Sequence, residues 1–224
     1  KAIRRQRQMC IRDRYTRIAV KVGSNVLTRK DGTLDVTRMS ALVDQIAELR
    51  KSGIEIILIS SGAVASGRSE LKPSKKLDSV EQRQLFSAIG QAKLINRYYE
   101  LFREHQIPVG QVLTTKENFG TRRHYLNQRN CMRVMLANGV LPIVNENDTV
   151  ATDEIDLSFS DNDFLSAIVA AIIGADLLVL LSDIDGLYTD DPNKNKDAKL
   201  IPYVERITDC LLYTSPSPRD YAAS

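Results

Sequence analysis

Tryptophan is absent from this chain of 224 residues, and cysteine, glycine and proline are scarce, with 3, 11 and 7 residues. So little glycine and proline, beside a hydrophobic share of 43%, excludes a collagen-like or low-complexity protein. No apolar run approaches the roughly 20 residues that a membrane-spanning helix needs, since the longest, at 167–175, ends at Asp176. The composition therefore predicts a soluble globular protein.

The three cysteines, Cys10, Cys131 and Cys210, are odd in number and far apart, without a CxxC pair. This pattern argues against a disulfide framework or a structural zinc site, and it favours a cytoplasmic location.

Charge is concentrated at one end of the chain. Residues 1–14 hold six Lys or Arg against one Asp, whereas the remainder is slightly acidic. A basic tail can bind nucleic acid, but this one has no interleaved aromatic residues and the body has no basic stripe. We therefore expect residues 1–14 to be a non-domain tail and nucleic acid to be an unlikely partner. Residues 209–224 lose all periodicity and are expected to be a second tail.

Short apolar runs alternate with helical patterns along residues 15–208. The runs predict strands at 17–22, 54–59, 109–113, 140–144 and 177–181. The periodic segments predict helices at 36–49, 62–71, 79–106, 122–138 and 162–173, with Ser79 as an N-cap and Gly90 as a possible kink. Buried strands alternating with helices are typical of βαβ units. We predict a three-layer α/β/α sandwich with a mostly parallel central sheet, incomplete at its C-terminal end.

Polar residues follow four of the five predicted strands, where ligands bind in open parallel sheets. These strand ends are Lys21-Val-Gly-Ser-Asn25, Ser60-Ser-Gly-Ala63, Asn145-Glu-Asn-Asp-Thr149 and Ser182-Asp-Ile-Asp-Gly186. Glycine turns and a helix N-terminus can present N–H groups to an anion, and a lysine adds a full charge. Each motif alone is better explained as a simple turn, but the four together predict a phosphate-handling cleft.

Other chemical motifs are missing or incomplete. The chain has neither a GxxxxGK[ST] nor a GxGxxG sequence, so a P-loop or a dinucleotide-binding fold is not supported. The DxDG sequence at 183–186 resembles a calcium loop, but its first and twelfth positions would be Leu181 and Pro192. His105 and His124 stand alone on helical segments, which excludes an argument for a Ser-His-Asp triad.

The strand-end motifs resemble the amino acid kinase family and, within it, the glutamate 5-kinases. The carrying segments are 20–24, 60–68, 145–148, 160–167 and 182–188, and the resemblance runs from about Arg17 to Thr208. It implies transfer of the γ-phosphoryl group of ATP to the side-chain carboxylate of L-glutamate, giving glutamyl 5-phosphate, the first step of proline biosynthesis.

The resemblance also implies catalytic residues. Lys21, together with the amides near Gly23 and Ser24, would bind the transferring phosphoryl group, and Asp163 would orient the lysine. Mg²⁺ would bridge the ATP phosphates, mostly through ATP oxygens and water, with no dedicated metal site in the protein.

The same resemblance implies binding residues for both substrates. Ser61, Asp148 and Asn162 would hold glutamate, with Asp148 facing its ammonium group, and Ser182 and Asp183 would line the nucleotide pocket. For Asn162, simple helix capping is an alternative interpretation.

Two other functions stay open. The chain could be a sibling kinase acting on acetylglutamate, aspartate, carbamate or a nucleotide, or a non-catalytic amino-acid-binding module. The family's later glycine-rich segment, with a second phosphate-binding lysine, is missing from the sequence, so we expect this polypeptide to bind glutamate better than it turns over ATP. The apolar surface of residues 79–106 favours a homodimer, although packing within one chain explains it equally well.

Overall fold

The computed structural model describes residues 15–115, 117–150, 162–190, 192 and 194–206. A first compact unit extends to Leu181 and a second begins at Ser182. The two expected tails, at 1–14 and 209–224, lie outside the described residues, as does the Ser160-Asp161 part of one motif.

Five strands form one parallel sheet in the first unit. They are β1 (Arg17–Val22), β2 (Glu55–Ser60), β3 (Val109–Thr114), β4 (Leu141–Glu146) and β5 (Leu177–Leu181). Their order across the sheet is β3-β4-β2-β1-β5. The predicted parallel sheet is therefore confirmed, and the carboxyl ends of all five strands share one edge.

Helices connect the strands. They are α1 (Ser24–Leu27), α2 (Val36–Lys51), α3 (Ala63–Glu70), α4 (Ser79–Glu104), α5 (Glu117–Gly120), α6 (Arg122–Ala137) and α7 (Asn162–Ile173). The four-residue helices α1 and α5 were not predicted from the sequence. Across the described part of the chain, every helix is too short or too polar to span a membrane.

One hydrophobic cluster lies on each face of the sheet, between the strands and a layer of helices. On one face of the sheet, α2 and α4 pack against β2 through Ile56 and Leu58. On the other face, α6 and α7 pack against β2 through Ile57 and Ile59. Because side chains alternate along a strand, the uninterrupted apolar run of β2 serves both cores. This arrangement confirms the predicted three-layer sandwich.

The chain changes helix layer between the neighbouring strands β2 and β4. The connection after β2 runs through α4 on one face, whereas the connection after β4 runs through α7 on the other. Such a switch point opens a crevice beyond the carboxyl ends of the two strands, which is the usual ligand site of open parallel sheets. The crevice is bounded by the segments that start at Ser60 and Asn145.

Helices α3 and α4 touch backbone to backbone at two glycines. A Cβ atom on Gly67 would lie 1.9 Å from the carbonyl oxygen of Phe86, and one on Gly90 would lie 1.7 Å from that of Ala63. Helix α4 is continuous through Gly90, where the glycine allows close helix contact, and the possible kink indicated by the sequence stays a prediction.

The predicted N-cap of α4 was wrong by one residue. Asp78 caps the helix by accepting from the Glu81 backbone N–H at 2.8 Å, and the Glu81 carboxylate accepts from the Asp78 N–H at 3.0 Å. This reciprocal capping box satisfies two backbone donors at once.

The second unit contains a short antiparallel contact. Tyr188 bridges Leu200, the Thr189 N–H donates to the Lys199 carbonyl at 2.9 Å, and the Ile201 N–H donates to the Leu187 carbonyl at 2.7 Å.

Candidate active site

Lys21 and Asp163 form an ion pair at the carboxyl edge of the sheet. Lys21 lies near the end of β1 and is only 7% exposed, and its Nζ is 2.5 Å from Oδ1 of Asp163. Asp163 is in the first turn of α7, where the positive end of the helix favours a carboxylate. A buried ammonium group needs such a counter-charge. The structure thus brings together the two residues that the resemblance assigned to catalysis.

Gly23 keeps space open beside the Lys21 ammonium group. A Cβ atom at this position would lie 3.7 Å from Lys21 Nζ and 3.3 Å from the Leu181 carbonyl oxygen. The Gly23 N–H donates to that carbonyl at 3.0 Å, and the expectation that the amides near Gly23 and Ser24 bind a phosphoryl group stays a prediction. Ser24 begins α1, and its carbonyl accepts from the Thr28 N–H at 2.9 Å.

A chain of side-chain hydrogen bonds crosses the β2–β4 crevice. The Asn162 amide nitrogen donates to Ser61 Oγ at 2.7 Å and to Asn145 Oδ1 at 3.0 Å. The Asn145 amide nitrogen in turn donates to Gln91 Oε1 on α4 at 2.8 Å. Four segments that are distant in sequence therefore meet in this network, hereafter the amide relay (Ser61, Asn162, Asn145 and Gln91).

Arg83 of α4 binds two carboxylates at the carboxyl end of β4, one on the last residue of the strand and one just after it. Its Nε lies 2.7 Å from Asp148 Oδ1, and its Nη2 lies 3.0 Å from Glu146 Oε2. All three side chains are largely buried, with 21%, 11% and 13% of Arg83, Asp148 and Glu146 exposed. One guanidinium group against two carboxylates leaves a negative balance, which suits an ammonium ligand. Asp148, predicted to face the glutamate ammonium, is thus held by a residue that the sequence did not single out.

Tyr98 contacts the last residue of β2. Its side chain is fully buried on α4, and its hydroxyl lies 3.0 Å from Ser60 Oγ. Burial raises the pKa of Tyr98 far above its ordinary value, and the hydrogen bond with Ser60 lowers it by less, so the phenol stays neutral. This contact holds the side chain of Ser60, the residue that directly precedes Ser61.

Ser182 and Asp183, the predicted nucleotide-binding residues, directly follow β5 in the sequence and belong to the second unit. Both are exposed, and the Ser182 hydroxyl donates to the Asp183 carboxylate at 3.3 Å. Their role in nucleotide binding stays a prediction.

Arg83, Gln91 and Asn145 are the site residues that the sequence reasoning missed. Asn145 stands in a strand-end motif, and this position is the one signal that could have found it. Arg83 and Gln91 lie inside a long amphipathic helix, where an isolated Arg or Gln normally faces solvent. Their partners are 54 to 65 residues away, so only the fold relates them.

Comparison with known proteins places this geometry in context. The model described as "Amino acid kinase family" matches residues 16–209. Glutamate 5-kinase of Bacteroides thetaiotaomicron is 74% identical over 183 residues, which cover 82% of this chain and 50% of that protein. Glutamate 5-kinase of Geobacter sulfurreducens is 46% identical over 198 residues, covering 88% of this chain and 52% of that protein. The chain spans about half the length of the curated relatives it matches.

Solved structures support the fold at low sequence identity. Isopentenyl phosphate kinase aligns with a TM-score of 0.53 at 17% identity, covering 85% of this chain and 81% of that one. Aspartate kinase from Synechocystis aligns with a TM-score of 0.50 at 16% identity, covering 83% of this chain and 31% of that one.

Proposed function

Because the chain belongs to the amino acid kinase family, we propose that it acts in the ATP-dependent phosphorylation of the L-glutamate side-chain carboxylate, the first step of proline biosynthesis. The observation that carries this proposal is the buried Lys21–Asp163 ion pair, which lies at the same sheet edge as the Ser61–Asn162 contact. The two features supply a cation for a phosphoryl group and polar groups for an amino acid.

The proposed chemistry is a direct phosphoryl transfer. A carboxylate oxygen of glutamate attacks the γ-phosphorus of ATP, the bond from that phosphorus to the β,γ-bridging oxygen breaks, and ADP leaves with the bond electrons. Negative charge then spreads over the transferring group, so the protein contributes mainly alignment and charge neutralisation. Lys21 supplies the positive charge, and Asp163 holds its ammonium group in one place.

Glutamate would be held by groups of the β2–β4 crevice. Ser61 and Asn162 offer neutral hydrogen-bonding groups, and the carboxylates at Glu146 and Asp148 outnumber the charge of Arg83. This balance attracts the substrate ammonium group.

Magnesium is proposed to enter with the nucleotide. The described residues contain no group of three or more His, Cys, Asp or Glu that could hold a metal ion. Mg²⁺ usually keeps several waters and binds substrate phosphates together with one or two carboxylates, so we propose that it is held mostly by ATP oxygens and water.

We propose a homodimer in the cytoplasm as the working form. Leu85 and Ile89 of α4 stay partly exposed within the single chain, which supports self-association through this helix. Sedimentation analysis of the protein would contradict the proposal if it found a monomer at all concentrations.

Lys21→Met tests the proposed function. We expect phosphoryl transfer to L-glutamate to fall by at least about 100-fold, because the variant lacks the charge that neutralises the transferring group. Glutamate binding, measured by calorimetry, should change less than about twofold, since Lys21 is not among the glutamate-binding groups. Lys93→Met, which removes an exposed lysine paired with Glu70, is the matched control and should behave like the wild type.

The choice of acceptor separates this function from its alternatives. Phosphorylation of acetylglutamate, aspartate or carbamate in place of L-glutamate would identify a sibling kinase. Binding of L-glutamate with no ATP turnover in the wild type would identify a non-catalytic module. Full activity of Lys21→Met would contradict the proposed role of the ion pair.

A further inference from the structure

We propose that Gln91 is a positioning residue for substrate recognition. Acting through Asn145, it orients Asn162 so that this amide offers the substrate its carbonyl oxygen and no N–H group. The inference rests on the proposed function, since it concerns how the same site reads the ammonium group of an amino acid.

The hydrogen-bond capacity of Asn162 carries the first step. A primary amide has two N–H groups and one carbonyl oxygen. Both N–H groups of Asn162 are directed within the protein, one to Ser61 Oγ at 2.7 Å and one to Asn145 Oδ1 at 3.0 Å. Toward a ligand, Asn162 therefore acts as an acceptor. An ammonium group satisfies an acceptor, whereas a carboxylate would be repelled by it.

Gln91 sets this orientation through Asn145. The Asn145 amide donates to Gln91 Oε1 at 2.8 Å, which turns its own carbonyl oxygen toward Asn162. If Asn145 were rotated by half a turn, its N–H groups would face those of Asn162. Asn145 is only 3% exposed, so water cannot readily replace the lost partner, and the wrong orientation would leave buried groups unsatisfied.

The backbone around Gln91 is held in a fixed place. The preceding residue, Gly90, lies against the Ala63 carbonyl so closely that a Cβ atom would approach it to 1.7 Å. Ala63 is two residues after Ser61, which forms the other end of the amide relay. Both ends of the relay are thereby next to the contact between α3 and α4. A small shift of α4 would therefore change the hydrogen bonds of Asn162.

Three variants test the proposal by calorimetric titration with L-glutamate and with glutarate, which lacks the ammonium group. Gln91→Met removes the acceptor at nearly constant shape, and we expect about tenfold weaker L-glutamate binding, the value of one hydrogen bond of about 1.4 kcal/mol. Gln91→Glu keeps an acceptor and should retain affinity within about threefold. Gln82→Met makes the same change on the same helix, where the glutamine bonds to the Leu77 carbonyl, and should bind like the wild type.

Glutarate distinguishes orientation from general damage. Its binding should be unchanged by Gln91→Met, or already absent in the wild type, because it has no ammonium group for Asn162 to accept. Equal weakening of glutarate and L-glutamate, or wild-type affinity in Gln91→Met, would overturn the proposal. If Gln91→Glu lost as much affinity as Gln91→Met, the claim that residue 91 acts as the acceptor for the Asn145 amide would be overturned.

Side-chain amide NMR separates this inference from the proposed function. The Asn145 and Asn162 NH₂ protons should exchange slowly in the ligand-free wild type and in Gln91→Glu, and fast in Gln91→Met. A wild type that binds no L-glutamate refutes the proposed function. The exchange rates still decide the relay in that case, because fast exchange in the wild type would refute it.

Discussion

Arg83 shows how one residue holds a strand end together. Its guanidinium group spans Glu146 and Asp148, two carboxylates that would otherwise repel each other in a largely buried place. Removing the cation leaves both acids without their common partner, which is more damaging than the loss of an exposed pair.

Arg83→Met should therefore lower the free energy of unfolding by about 1–3 kcal/mol at neutral pH. Lys93→Met, the control, breaks a pair in which both side chains are more than a third exposed, and should change it by less than about 1 kcal/mol. Urea unfolding of both variants measures the difference. Equal losses would show that the Arg83 contacts contribute no more than a surface ion pair.

At the scale of single residues, the sequence patterns mark Lys21, Ser61 and Asn162, which lie at strand ends or helix starts. They do not mark Arg83 and Gln91, which lie inside a helix. No sequence pattern distinguishes Gln91. Its partner Asn145 is 54 residues away, and a glutamine in a helix is counted as polar whether it faces solvent or the protein interior.

At the scale of elements, the contact of α3 with α4 depends on glycine. An added methyl group at Gly90 would meet the Ala63 carbonyl, a backbone atom that can move only if the helices separate. The helix position of Gly90 itself favours alanine by propensity, so two opposite effects compete, and the steric one is larger.

Gly90→Ala should reduce the free energy of unfolding by about 1–3 kcal/mol or more, the usual cost of overpacking. Gly120→Ala is the control, since nothing lies within 4 Å of its added Cβ atom, and its effect should be within about 1 kcal/mol. Thermal unfolding of both variants provides the comparison. A stabilised Gly90→Ala would mean that the helices separate without penalty.

The predicted elements were most accurate where apolar runs and helix patterns were uninterrupted. Strands β1 and β5 and helix α7 have the predicted bounds. The N-cap of α4 was wrong because local signals competed. Asp78 with Glu81 and Ser79 with Gln82 both fit a capping box, and the structure has the first pair. Gly90 serves a tertiary contact that no local pattern contains.

At the scale of the first unit, Asp176 ties the start of β1 to the turn before β5. Its carboxylate accepts from the Thr16 N–H at 2.7 Å, the Thr16 hydroxyl at 2.8 Å and the Arg17 N–H at 2.9 Å. These hydrogen bonds, first that of Arg17 and then those of Thr16, lower the pKa of Asp176 below its ordinary value of 3.8.

Stability should therefore depend on Asp176 at neutral pH and lose that dependence in acid. A carboxyl group with a lowered folded-state pKa stabilises above its unfolded pKa, and this contribution disappears as pH falls through the folded pKa. The unfolding free energies of wild type and Asp176→Asn should differ most near about pH 6–7 and converge toward about pH 2.

Salt provides the control for that prediction. Hydrogen bonds, rather than the Arg17 charge, are the main cause of the shift, so about 0.5 M NaCl should leave most of the difference in place. A difference that is constant with pH would contradict the assignment to ionisation of Asp176.

The spacing of Arg83 and Gln91 along α4 has a consequence for how the chain tolerates insertions. The two residues are eight positions apart, about 12 Å along a helix, and both contact the carboxyl end of β4 or the residues just after it. One residue inserted between them would rotate the distal contact by about 100° and break it. The loop at 72–76, by contrast, is exposed, and surface loops tolerate insertions and deletions. We therefore expect this loop to accept added or removed residues.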